Sequence, residues 1–401
     1  GVSVEQLATA CQTPLYIYDE NKITEKLSRF HELFQSDTFK TEVLYASKAF
    51  SCKAMVELVA QYGLSLDVVS GGELYTAKQA GFPMERVYFH GNNKSYDEIM
   101  MALDYGVGTI IVDNAMECDM LVKAVKRSGR SIKTMLRVNP GVEAHTHKYI
   151  VTAHLDSKFG ISITKKKEIA AMIHTLTSVA EITFLGYHSH IGSQIFDKQA
   201  YVAEIEKLMQ FTKEMQTEYD IHISALNLGG GFAALYTNAD HPIPLQDVCH
   251  TILDTCKKEN AKQQLNIEKI MIEPGRSIVA EAGRTLYRVG YQKQTEHKKY
   301  IFVDGGMSDN IRPALYQAEY ACDIANRMQE EKTETVTIAG KCCESGDILI
   351  ENAKLPKISQ NDLLIIYTTG AYGYSMASNY NKLGRPAVVF VKDGHARVVI
   401  K

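Results

Sequence analysis

Between Val43 and Ile272 one pattern recurs eight times: a short apolar, β-prone run, a polar end, then a segment with helical periodicity. The runs are Val43–Ala46, Ser65–Val69, Arg86–Phe89, Thr109–Val112, Ile132–Val138, Ile182–His188, Ile221–Leu228 and Ile267–Ile272. Helical patterns separate them, as at Gly72–Gly81, Ser95–Tyr105, Ala115–Ser128, Lys165–Thr177, Ala200–Tyr219 and Pro244–Glu259. Eight strand–helix units in roughly 230 residues predict an α/β fold, a (β/α)8 TIM-type barrel. A doubly wound open sheet is the alternative, but it usually has fewer strands.

After Arg276 the texture changes. Short β-like runs follow one another at Ser277–Ala280, Thr285–Gln292, Lys299–Val303, Glu334–Ile338, Asp362–Tyr367, Ala387–Lys392 and His395–Ile400. One helix-like stretch, Ala318–Met328, interrupts them, and Asp393-Gly394 predicts a tight terminal hairpin. Residues 277–401 therefore read as an all-β C-terminal domain and 21–276 as the barrel. Ahead of both, Val4–Cys11 is amphipathic and Asn21–Phe34 helical, while Pro14–Tyr18 reads as a strand that fits either unit.

A chain of 401 residues exceeds what one core usually serves, which agrees with two domains. Net charge is only −3, with no basic stripe, so neither nucleic acid nor an anionic membrane is an expected partner. No apolar run is long enough to cross a bilayer. The start, Gly1-Val2-Ser3-Val4, carries no signal-peptide pattern and no Met, and reads as a trimmed end. The eight cysteines are scattered without CxxC or Cys/His metal spacing, so no metal is expected. Reduced thiols and a cytoplasmic location are the expectation.

The strand ends carry chemistry. Lys48 follows the first barrel strand, where a lysine in the mouth of the fold can lose its charge and attack a carbonyl. Gly229-Gly230-Gly231 presents bare backbone that can either cradle a phosphate or make a tight turn. Glu273-Pro274-Gly275-Arg276 offers a carboxylate able to hold a proton on a pyridine nitrogen, with a guanidinium for phosphate or carboxylate; a structural ion pair is the other reading. His190 can lie on an aromatic ring or be a packed rim residue, and Ser193 can add a hydroxyl to a phosphate. Asp67, inside an apolar run, needs a buried partner, and Lys48 is a candidate. A carbonyl-seeking lysine, a phosphate cradle, a pyridine-nitrogen carboxylate and a stacking imidazole together outline pyridoxal 5'-phosphate.

The chain resembles the diaminopimelate decarboxylases, within the alanine-racemase-fold group of pyridoxal-phosphate decarboxylases, from about Pro14 to its end. The matching motifs are Tyr45–Ala49, Asp67–Leu74, Gly91–Ser95, Asp156–Ile161, His188–Gln194, Gly229–Gly231, Glu273–Arg276 and Cys343–Asp347, in that order. The resemblance implies a cofactor-binding barrel, a β domain that also takes residues 1–20, and a head-to-tail homodimer with shared active sites. It implies Lys48 as the Schiff-base lysine, and Gly229, Gly230, Gly231, Ser193 and the backbone of Gly275 and Arg276 as the phosphate site. Glu273 becomes the pyridine carboxylate, with His190 and Asp67 beside the ring. Arg276, Arg312, Tyr316 and Glu344 become substrate contacts, Tyr372 a cofactor or substrate neighbour, and Cys343 a proton donor. Cys343 and Glu344 are implied to come from the partner subunit.

The implied reaction is decarboxylation of meso-2,6-diaminopimelate to L-lysine and CO2, the last step of lysine synthesis. Two arginines suit a distal carboxylate and Glu344 a distal ammonium. That set argues against a related decarboxylase acting on carboxynorspermidine. Retention of Lys48 and Cys343 argues against a catalytically silent regulatory relative, and the Cys343-Glu344 motif favours decarboxylation over racemisation. One departure from the family pattern, at Val151–His154, concerns local conformation more than chemistry.

Overall fold

The computed structural model of the chain describes residues 1–142 and 157–401. The departure at Val151–His154 and Asp156 of the fourth motif lie outside the described residues. Helix α1 (Val4–Cys11) leads to strand β1 (Leu15–Asp19) and helix α2 (Glu20–Leu33). The barrel strands are β2 (Lys40–Ala46), β3 (Ser65–Val68), β4 (Val87–Phe89), β5 (Thr109–Val112), β6 (Ile132–Asn139), β8 (Ile182–His188), β9 (Ala225–Asn227) and β10 (Lys269–Ile272). All pair in parallel, and β5–β6 pairing closes the ring that begins β5-β4-β3-β2-β10-β9-β8-β6. A two-residue strand, β7 (Ile161–Ser162), adds to the end of β6. The expected (β/α)8 barrel is therefore present.

Local chemistry sets the helices. In α3 (Lys53–Gln61), α4 (Gly71–Gln79), α5 (Tyr96–Tyr105), α6 (Ala115–Ser128), α7 (Lys166–Thr177), α8 (Gln199–Tyr219) and α9 (Leu245–Lys262), apolar stripes face the ring of strands. Ser95 and Glu98 form a capping box at the start of α5, and Asn114 caps α6 by accepting from Glu117 N. Inside the ring, Leu44, Tyr88, Ile111, Met135, Ala225 and Met271 pack as one cluster and fill the barrel.

The second sheet runs β15-β14-β12-β11-β1-β17-β18, with β16 pairing both β11 and β13. Its later strands are β11 (Gly283–Gln294), β12 (Lys299–Val303), β13 (Cys322–Ile324), β14 (Glu334–Ala339), β15 (Ile348–Leu355), β16 (Leu363–Tyr367), β17 (Ala387–Lys392) and β18 (His395–Ile400). Strand β1 lies in this sheet, antiparallel to β11 and parallel to β17. The terminal hairpin has its two-residue turn, with positive φ at both Asp393 and Gly394.

Two local expectations are corrected, and one strand was not expected. Ser277–Ala280 is no strand: the chain turns out of β10 through a short helix α10 (Arg276–Val279), burying Ile278 and Val279. Ala318–Met328 is no helix. Residues 322–324 form β13 against β16, and the helix lies earlier, at α11 (Arg312–Tyr316). Strand pairing across the sheet overrode the local helical pattern. Strand β15 escaped the sequence pattern because Asn352, with φ of 55°, bulges it and breaks the alternation.

Candidate active site

Lys48 sits on a single 3₁₀ turn, Ser47–Ala49, directly after β2. Three bonds pin that turn: Ser47 Oγ donates to Asp67 O (2.7 Å), Tyr45 Oη to Phe50 O (2.7 Å) and Tyr372 N to Ala49 O (2.8 Å). The lysine thus enters the barrel mouth. It is surrounded by protein yet reached by solvent through two cavities of about 590 and 660 Å³, which share Lys48, His190 and Glu273. Burial opposes its charge, but Asp67, Tyr372 and Glu273 outweigh that and raise its pKa.

Glu273, just past β10, is the hub. Its Oε1 accepts from Asn227 Nδ2 at 2.8 Å and lies 2.8 Å from His90 Nε2, a close contact without hydrogen-bond alignment. Its Oε2 lies 3.1 Å from His188 Nε2. Burial alone would raise this carboxyl; His90 and His188 reverse that and hold it well below the usual carboxylate range. Glu273 is therefore ionised at neutral pH. Burial pushes His188 down to about 4, so its imidazole is neutral there. Asp67 is also buried; His90 Nε2 lies 3.7 Å from its Oδ1, and Lys48, the partner expected from sequence, acts on its charge as well. One of its oxygens, Oδ1, has no hydrogen bond. Burial raises its pKa and His90 opposes the rise.

His190 is half-buried and its Nδ1 accepts from Gly230 N at 3.2 Å. Burial, then Lys48 and Arg137, drive its pKa well down, so this imidazole is neutral. Gly229 holds a φ of +64°, and a Cβ there would meet Ser189 O at 2.5 Å; at Gly230 it would meet Glu273 O at 2.4 Å. Glycine is thus required where the chain passes between the ends of β8 and β10.

The second cavity collects Ser193, Gly230, Gly231, Gly275, Arg276, Arg312, Tyr316 and Tyr372 on one side of Lys48. Arg276 donates to Ser193 Oγ through Nε (3.2 Å) and Nη2 (2.9 Å), and to Tyr236 Oη through Nη1 (2.6 Å). Arg312 donates to Tyr320 Oη at 2.6 Å. Cys343 and Glu344 are exposed and line neither cavity; Cys343 N donates to Asn381 Oδ1.

The residues fit pyridoxal phosphate. A lysine amine, an ionised buried carboxylate and a neutral imidazole converge. An amide-rich glycine corner with two guanidiniums adjoins them, and Asp67 Oδ1 is left unsatisfied. Sequence reasoning missed His90, Asn227, Tyr236 and Tyr320. His90 directly follows β4 and precedes Gly91, a strand-end signal of the kind that marked Lys48; Tyr236 and Tyr320 sit on loops that carry no such signal.

Residues 20–280 match the family model described as pyridoxal-dependent decarboxylase, pyridoxal binding domain. The chain is 50% identical over 402 residues to the diaminopimelate decarboxylase of Bacillus subtilis, covering 100% of this chain and 91% of that one. It is 48% identical to that of Halalkalibacterium halodurans, with the same coverage. Its fold matches the crystal structure of diaminopimelate decarboxylase from M. jannaschii in co-complex with L-lysine, with a TM-score of 0.91, 33% identity and coverage of 99% and 91%. The chain is a pyridoxal-phosphate-dependent carboxy-lyase and belongs to the diaminopimelate decarboxylase family.

Proposed function

We propose that the chain decarboxylates meso-2,6-diaminopimelate to L-lysine and CO2, the final step of lysine biosynthesis. The observation that carries this reading is the pairing of a Lys48–Glu273 centre with two guanidiniums that have no carboxylate partner among the described residues. One end of a double amino acid reacts; the other needs its carboxylate held.

Pyridoxal phosphate, when bound, supplies the electron sink that makes loss of an α-carboxylate feasible. Lys48 is the residue that would hold it covalently. Glu273, kept ionised by His90 and His188, would keep a proton on the pyridine nitrogen. The neutral His190, with Asp67 nearby, would face the ring. Ser193, Gly229, Gly230, Gly231 and the backbone of Gly275 and Arg276 form the proposed phosphate subsite. The side chains of Arg276 and Arg312, with Tyr316 and Tyr372, would orient the distal end of the substrate.

Cys343 would deliver the closing proton and Glu344 would bind the distal ammonium, each in a partner's pocket. Their exposure, away from their own chain's Lys48, supports a head-to-tail homodimer with shared sites. Leu315 and Tyr316, 54% and 60% exposed, are large apolar side chains that such a partner would cover. All eight cysteines are free thiols, which supports a cytoplasmic setting, and no helix among the described residues is long and apolar enough to cross a membrane.

The test is incubation of purified protein with pyridoxal phosphate and meso-diaminopimelate. Equal release of lysine and CO2 is expected; no lysine from cofactor-loaded protein overturns the assignment.

A further inference from the structure

Two like-charged guanidiniums side by side repel each other, and Arg312 is only 8% exposed. Such a pair ordinarily recruits a carboxylate. Among the described residues neither Arg276 nor Arg312 has one; Glu273 is the one acid lining their cavity, and it is engaged by His90, His188 and Asn227. Tyrosines hold them instead. The Tyr236 ring packs against both, 5.6 Å from the Arg276 guanidinium carbon and 5.0 Å from that of Arg312. Its hydroxyl oxygen accepts from Arg276 Nη1. Tyr320 accepts from Arg312 Nη1 and packs edge-on against Tyr236, with ring centroids 5.5 Å apart. The Tyr372 ring also packs against Arg276, with its centroid 4.8 Å from the guanidinium carbon.

Tyr236 itself lines neither cavity around Lys48 and is buried beneath the arginines. Its backbone is fixed in turn: Tyr236 N and Thr237 N both donate to Asp240 Oδ2, at 3.0 and 2.8 Å. Phenol oxygens and ring faces stabilise guanidinium charge without cancelling it. A carboxylate in the same place would neutralise the pair and leave nothing for a ligand.

We propose that Tyr236, seconded by Tyr320, is a specificity-determining positioning residue that assembles Arg276 and Arg312 into a ready-made receptor for the substrate's second carboxylate. This rests on the substrate reading above, in that the second carboxylate is the one carried by diaminopimelate. The role needs no contact between Tyr236 and the substrate.

The test uses the cofactor-loaded enzyme and the variants Tyr236→Phe and Tyr320→Phe, each losing one hydroxyl and keeping its ring. Calorimetric titration with pimelate, a seven-carbon dicarboxylate without amines, probes the arginine pair alone. Titration with cadaverine, the five-carbon diamine without a carboxylate, probes the remainder of the site. Tyr236→Phe is expected to weaken pimelate about ten-fold and cadaverine less than two-fold. With diaminopimelate, KM rises about ten-fold while kcat stays within about three-fold, because the reacting end is untouched. Tyr320→Phe shifts the same quantities in the same direction, with the unfolding temperature of both variants near that of wild type. Equal weakening of pimelate and cadaverine overturns the proposal, as does an unchanged KM or wild type that does not bind pimelate. Wild type that binds pimelate with this contrast but releases no lysine from diaminopimelate would sink the proposed reaction and leave the receptor standing.

Discussion

Lys94 ends the Gly91-Asn92-Asn93-Lys94 turn beside the barrel mouth, and it is not free to react. Its Nζ donates to Gly91 O (2.7 Å), Ile111 O (2.7 Å) and Glu117 Oε1 (2.6 Å), with the two side chains 1% and 3% exposed. Glu117 Oε2 accepts from Asp113 N at 3.0 Å. The lysine thus ties the ends of β4 and β5 together under Gly91 and Asn92, which line the first cavity. Lys94→Met removes one charge from a buried pair and strands three acceptors. Loss of one partner from such a pair costs about 3–5 kcal/mol. Burial raises the Glu117 carboxyl and Lys94 draws it back, so without Lys94 it protonates more readily. The variant's loss should therefore shrink as pH falls from 8 to 6. In Lys94→Met/Glu117→Gln no charge is left buried, and the expected loss is about 1–2 kcal/mol. Urea unfolding of the single and double variants reads both numbers. A single-variant loss under about 1 kcal/mol, or a double variant no milder than the single, would refute the reasoning.

Further outcomes follow from the same contacts. Glu273→Gln should lower kcat about 10²–10³-fold at every pH from 6 to 9, because the wild-type carboxylate is ionised throughout; a variant within ten-fold of wild type contradicts the hub assignment. Lys48→Ala and Cys343→Ala should each be nearly inactive alone, yet mixing them after dissociation should restore part of the activity if sites are shared; a mixture as dead as its parents argues against sharing. Glu204 is buried, bonded to Ser189 Oγ, and burial raises its pKa from the ordinary 4.5 to about 8. Between those values the folded chain holds a proton that the unfolded chain has lost, so its stability contribution falls as pH rises from about 5 to 8. Glu204→Gln should remove that slope and stabilise the protein by about 2–4 kcal/mol at pH 8, read as the difference in unfolding free energy between pH 5 and pH 8.

Most of the barrel was legible because its strands are buried on both faces and read as unbroken apolar runs, as at Thr109–Val112. Lys48, the triple glycine and Glu273–Arg276 were legible because strand ends in such a fold converge on one face. The β domain was less so. Its strands bulge, and β13 took a segment with a helical pattern because β16 offered it hydrogen bonds.

Sequence by itself determined the fold class and the cofactor chemistry and singled out Lys48 as the candidate lysine, since periodicity and strand-end residues are local properties. Tertiary structure decided the partners. That Glu273 is kept ionised by His90 and His188, that Asp67 lies 3.7 Å from His90, and that Tyr236 packs against two arginines depend on residues 23 to 183 positions apart meeting in space. Through-space charge and hydrogen bonding fall off with distance in ångströms and take no account of separation along the chain.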